Sequence, residues 1–138
     1  MRDVVKSRVT PVEDLTEIPE PYFKISIYEK GGLQDTAFWA ERFGDRSTVV
    51  TGGAAWLDIM PKGVTKLTAF TKLLDCLGVL PEECLVLGDN DNDREMLLAA
   101  GIPGTVTSAK KEIHDIARIS GDTVESILEL LLAGRLPV

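Results

Sequence analysis

Cys84-Leu85-Val86-Leu87 is a wholly apolar run, and Gly88-Asp89-Asn90-Asp91-Asn92-Asp93 follows it without a break. A short, uninterrupted apolar run suits a strand buried on both faces, as in a parallel sheet covered by helices. Open α/β sheets place their ligands at the carboxyl ends of the strands, which is where this polar loop falls. The junction therefore points to an α/β fold and to a candidate site at one position.

The flanking periods agree. Leu67, Phe70, Leu74 and Leu77 recur at helical spacing, with Thr65 placed to cap the helix and Gly78 to end it. After the loop, helices are expected over 94–100, 109–117 and 123–133, with a strand at 105–107 between the first two. Val124, Ile127, Leu128, Leu131 and Leu132 mark one apolar face of the last helix. Helix and strand alternating in this order favour a parallel sheet.

Before position 62 the chain reads differently. Residues 1–21 are polar and interrupted by Pro11, Pro19 and Pro21, an extended lead-in with at most a short helical turn. Alternation over 22–28 predicts a strand with one buried face, and 33–43 predicts a helix closed by Gly44. Residues 47–51 and 54–60, joined by Gly52-Gly53, predict a β-hairpin. Pro61-Lys62-Gly63 is the best internal boundary, dividing the chain into 1–61 and 62–138.

Fifteen Lys and Arg against 22 Asp and Glu give a net charge of −7. That argues against nucleic-acid and anionic membrane partners, because phosphate-rich surfaces need a basic face. No apolar run approaches the ~20 residues of a membrane span, and the first residues lack a signal-peptide core; a cytoplasmic setting is expected. Cys76 and Cys84 are too few for a disulfide scaffold and read as small buried apolar residues. His114, the only histidine, reads as a helix residue, and Phe38, Trp39 and Phe43 as core.

Three carboxylates within five residues repel one another unless something positive lies between them. A divalent cation would do so, and hard oxygen ligands suit Mg2+. The alternative is an acidic turn whose side chains satisfy local backbone groups. A calcium loop fails, because Arg94 and Ala100 stand where glycine and glutamate are required. Lys66, near a helix start where a cation is mildly disfavoured, is either a solvated lysine or part of an anion site.

Asp58-Ile59-Met60-Pro61-Lys62-Gly63-Val64-Thr65-Lys66 and Leu85-Val86-Leu87-Gly88-Asp89-Asn90-Asp91-Asn92-Asp93 together resemble the haloacid dehalogenase (HAD) superfamily. They are closest to its Cof-type sugar-phosphate phosphatases, whose third and fourth motifs run E-I-x-P-x-G-V-S-K-G and G-D-x-x-N-D-x-x-M-L. Glu95-Met96-Leu97-Leu98 continues the second motif. The resemblance implies a HAD-like (Rossmannoid) parallel sheet over 62–138, preceded in 1–61 by the end of an α/β cap that selects substrate. It implies that Lys66 contacts the phosphoryl group and that Asp89 binds Mg2+. Asn92 would help hold the substrate phosphate, and Asp93 would be the acid that holds the lysine or a metal-bound water. The implied substrates are small phosphorylated metabolites, sugar phosphates first.

The family's first motif, Asp-x-Asp-Gly-Thr, carries its nucleophile, and it does not occur in these 138 residues. Thr51-Gly52 imitates the second motif but lies 15 positions before Lys66, too close to it. The expectation is the C-terminal half of a phosphatase, inactive alone, whose 84–87 strand has an unpaired edge covered by a second copy or a missing N-terminal segment. The rival expectations are a non-catalytic remnant that binds metal or phosphate or self-associates through that edge, and a generic domain in which 88–93 is only a turn.

Overall fold

The computed structural model describes residues 9–52 and 54–136. Strand β1 (Ile25–Tyr28), helix α1 (Thr36–Phe43), β2 (Ser47–Thr51) and β3 (Trp56–Pro61) build a first, antiparallel layer in the order β1-β3-β2. Its register, Ile25↔Ile59 and Ile27↔Leu57, puts the fully buried Leu57 on one face with the half-buried Ile25, Ile27 and Ile59. The alternate residues Ser26, Tyr28, Trp56 and Asp58 therefore share the opposite face. Tyr28 and Trp56 pair across the strands with ring centroids 4.9 Å apart.

Helix α2 (Lys66–Leu77) begins the second unit. Thr65 accepts the Thr68 N–H at 3.1 Å and Thr68 Oγ1 accepts the Thr65 N–H at 2.9 Å, a reciprocal cap. Gly78 ends the helix at φ 65°, a left-handed conformation that glycine adopts without a Cβ penalty. β4 (Leu85–Leu87), α3 (Arg94–Ala99), β5 (Ile102–Val106), α4 (Lys111–His114), β6 (Ile119–Gly121) and α5 (Val124–Leu132) follow. The three strands form a parallel sheet in the order β4-β5-β6, as the alternation of elements predicts. Val86, Leu97 and Ile113 form its buried centre.

Several expectations are corrected. β1 starts at Ile25, because Tyr22 and Phe23 are exposed and pair with no strand. α1 starts at Thr36, where Asp35 caps it by accepting the Phe38 N–H at 2.9 Å. β5 starts at Ile102, ahead of the expected Thr105, despite Pro103 within it. Its pairing with β6 begins only at Gly104↔Ile119, so the donor that Pro103 lacks has no ladder partner to miss. α4 is limited to four residues, and β6 was not anticipated at all.

Cys76 and Phe38 are exposed where burial was expected. On α5 only Ile127 is buried, while Leu128, Leu131 and Leu132 remain open to solvent. The lead-in carries one 3-10 turn, Leu15–Glu17, capped by Asp14; residues 1–8 of it, and Gly53 of the hairpin turn, lie outside the described residues. Among the described residues no helix is long and apolar enough to cross a membrane.

Candidate active site

The chain leaves β4 at Leu87 and turns through the polar loop at the strand's carboxyl end. Asn90 caps the 3-10 turn Asp91–Asp93, its side chain accepting the Asp91 N–H at 2.9 Å. Asp93, only 3% exposed, is the centre of the loop. Its Oδ2 accepts the N–H groups of Asp89 and Asn90, each at 3.1 Å, and its Oδ1 contacts Lys66 Nζ. A buried carboxylate is sustained only by such donors and a counter-charge. Gly88 makes the loop possible, since a Cβ there would sit 2.5 Å from the Asp93 Cβ.

Two further groups fix the loop from the next crossover. Thr105, 1% exposed on β5, donates its hydroxyl to the Gly88 carbonyl at 2.7 Å. Lys110 Nζ pairs with Asp91 Oδ2. Neither residue stood out in the sequence, because each acts through a partner far along the chain and neither lies in a recognisable motif.

Lys66, Asp89 and Asp93 line one cavity of about 310 Å³, together with Gly88 and Thr105. Asn92 does not line that cavity; it lines an adjoining cleft of about 600 Å³ between the first layer and α2, which Lys66 also lines. Of the four residues singled out, three thus share one cavity, and the fourth shares the next one with Lys66.

The site's capacity for a cation can be judged from its donors. Among the described residues no three His, Cys, Asp or Glu side chains converge on one point. The Asp89 carboxylate makes no hydrogen bond or ion pair among them, so its oxygens are available to a ligand. Mg2+ commonly takes one or two protein carboxylates and keeps its waters and substrate oxygens. The residues present fit that pattern as a partial donor set.

Lys66 and the acidic loop thus meet at the carboxyl ends of the parallel sheet. Residues 2–127 match the family described as haloacid dehalogenase-like hydrolase. The chain belongs to this family. It is 34% identical over 84 residues to the chloroplastic endoribonuclease YBEY of Arabidopsis thaliana, covering 61% of this chain and 14% of that protein. It is 38% identical over 61 residues to the HMP-PP phosphatase of Citrobacter koseri, covering 44% of this chain and 22% of that protein. A solved structure from Eubacterium rectale superposes with a TM-score of 0.77 at 27% identity, covering 96% of this chain and 52% of the other. This HAD chain therefore spans about half of that structure and less of the two curated relatives.

Proposed function

We propose that the chain forms the lysine- and metal-bearing part of a Mg2+-dependent phosphatase site for small phosphorylated metabolites, sugar phosphates foremost. The observation that carries this reading is the Lys66–Asp93 contact on the cavity that Asp89 also lines. Phosphoryl transfer needs positive groups held in advance where negative charge gathers on the transferring oxygens. Asp93 fixes Lys66 as one such group, and Asp89 would hold Mg2+, whose charge neutralises phosphoryl oxygens when it is bound. Asn92 would contact the phosphate from the cleft side. Residues 1–61 serve as the end of the cap and 62–138 as the second half of the core.

In this family the reaction runs through an aspartyl-phosphate, and the Asp-x-Asp-Gly-Thr motif that supplies its nucleophile is not among these 138 residues. Lys66 and Asp89 can position and neutralise, but neither replaces that carboxylate. The test is Mg2+-dependent hydrolysis of an aryl phosphate, with inorganic phosphate binding measured alongside. The expected outcome is phosphate binding that Lys66→Ala and Asp89→Asn weaken, with no turnover above the Asp89→Asn background. Turnover lost in that variant would mean that a nucleophile exists within the chain or between copies of it.

A second reading is favoured by one observation. β4 pairs with β5 on one side and with no described strand on the other. An open, apolar edge strand recruits another strand, so self-association without turnover is the alternative role.

A further inference from the structure

The peptide group that joins Gly88 to Asp89 is held at both ends. Its N–H, on Asp89, donates to Asp93 Oδ2 at 3.1 Å, and its carbonyl, on Gly88, accepts the Thr105 hydroxyl at 2.7 Å. The Gly88 N–H just before it donates to the Gly104 carbonyl at 3.1 Å, carrying the β4–β5 pairing one step past the strand. A peptide group is planar, so holding its carbonyl and its N–H fixes the direction in which the Asp89 Cα leaves the loop. Among the described residues Asp93 and Thr105 are the two buried polar side chains, and both place a hydrogen bond on this one peptide. Buried polar groups are costly unless bonded, so the placement of both on one target marks that target as the part of the loop held most firmly.

Asp89 is also the residue with least help in holding a cation. Among the described residues no three His, Cys, Asp or Glu side chains converge, so the ligand set leans on one free carboxylate. With so few protein donors, affinity depends on how much of the donor's freedom is removed before the cation arrives. Lys66 is held differently, by the other oxygen of Asp93. Loss of the Thr105 bond therefore loosens the metal side of the cavity and leaves the lysine side in place.

We propose that Thr105 is a positioning residue for Asp89, setting the affinity of the loop for Mg2+ through the Gly88–Asp89 peptide without touching the cation. This rests on the metal reading of Asp89 and adds to it a residue from a neighbouring strand.

The NMR amide signals of the full chain, followed during separate titrations with Mg2+ and with inorganic phosphate, test it. Thr105→Val keeps the shape of the side chain and removes its donor. It should weaken Mg2+ binding about tenfold, as the loss of an outer-shell partner does, and leave phosphate within about twofold. Thr105→Ser keeps the donor and should hold Mg2+ within about threefold. Ile113→Val, in the buried centre and outside the cavity, should lower stability without moving Mg2+ affinity. In the metal-free chain the Asp89 amide proton should exchange with solvent faster in Thr105→Val than in the parent. Thr105→Cys, whose thiol is a weak donor, takes the place of Thr105→Val should that variant not fold, and the same losses are expected. Equal Mg2+ affinity in Thr105→Val and the parent, or an equal loss in Ile113→Val, overturns the positioning role; loss of Mg2+ in Asp89→Asn would then leave the metal reading standing without it. If the parent binds no Mg2+, or Asp89→Asn binds it as the parent does, the metal reading falls and takes the role of Thr105 with it.

Discussion

Asp93 holds Lys66 with one carboxylate oxygen and the backbone of its own loop with the other. The two residues are 27 positions apart, one at the first turn of α2 and the other at the end of the acidic turn after β4. The same carboxylate thus shapes the loop that presents Asp89 and sets the position of the lysine opposite. Loop geometry and charge placement are one device, and damage to either reaches both.

The pair is lopsided in burial, which gives an unequal prediction. The Asp93 side chain is 4% exposed and that of Lys66 is 48%. Asp93→Ala abandons two backbone donors and should cost about 3 kcal/mol in urea denaturation. Lys66→Ala exposes one carboxylate oxygen that water can reach, and should cost less than about 1 kcal/mol. Equal losses would mean that the carboxylate does not organise the loop.

Gly88→Ala tests the same loop from its backbone. The added Cβ would meet the Asp93 Cβ and Cγ, atoms too near the main chain to swing aside. Overpacking of this kind should cost about 2 kcal/mol and should also weaken phosphate binding as Lys66 loses its anchor. Unchanged stability would show that the loop shifts freely to accommodate the methyl group.

How far these features were legible in the sequence varies with the range of the interaction that makes them. The reciprocal cap at Thr65, the stop at Gly78 and the apolar run of β4 are local signals, and the structure has all three. β6 carries one buried residue, Ile119, in three positions, so no period could announce it; its partner β5 makes it a strand. Pro103 lies within β5 because its missing donor falls ahead of the first β6 pairing, Gly104↔Ile119. In the site, composition alone supplied only repelling carboxylates and a lysine of two meanings. The resemblance joined them, whereas Thr105 and Lys110 act through distant partners that no local pattern reveals.

Metal binding gives a test that does not depend on turnover. A ligand that binds only the folded chain raises its melting temperature with concentration. Added Mg2+ should raise the transition of the parent chain, and EDTA should reverse the rise. Asp89→Asn should lose it, while Asp75→Asn on α2, outside the cavity, should keep it. A rise that persists undiminished in Asp89→Asn would place the cation elsewhere.

The outer edge of β4 supports the last prediction. Among the described residues, Leu85, Val86 and Leu87 pair only with Ile102, Pro103 and Gly104, which leaves one row of backbone groups facing away from the sheet. No charge guards the strand itself. Unguarded edges of this kind pair with a second chain. In sedimentation, the 15.0 kDa chain should move toward a dimer as concentration rises. Leu85→Lys should push it back, because a charge on the edge strand must be desolvated on pairing. Val86 is the wrong place for that charge, since it packs with Leu97 and Ile113 and its replacement would disturb the core. A monomer at every concentration would exclude self-pairing and leave the edge to a different strand.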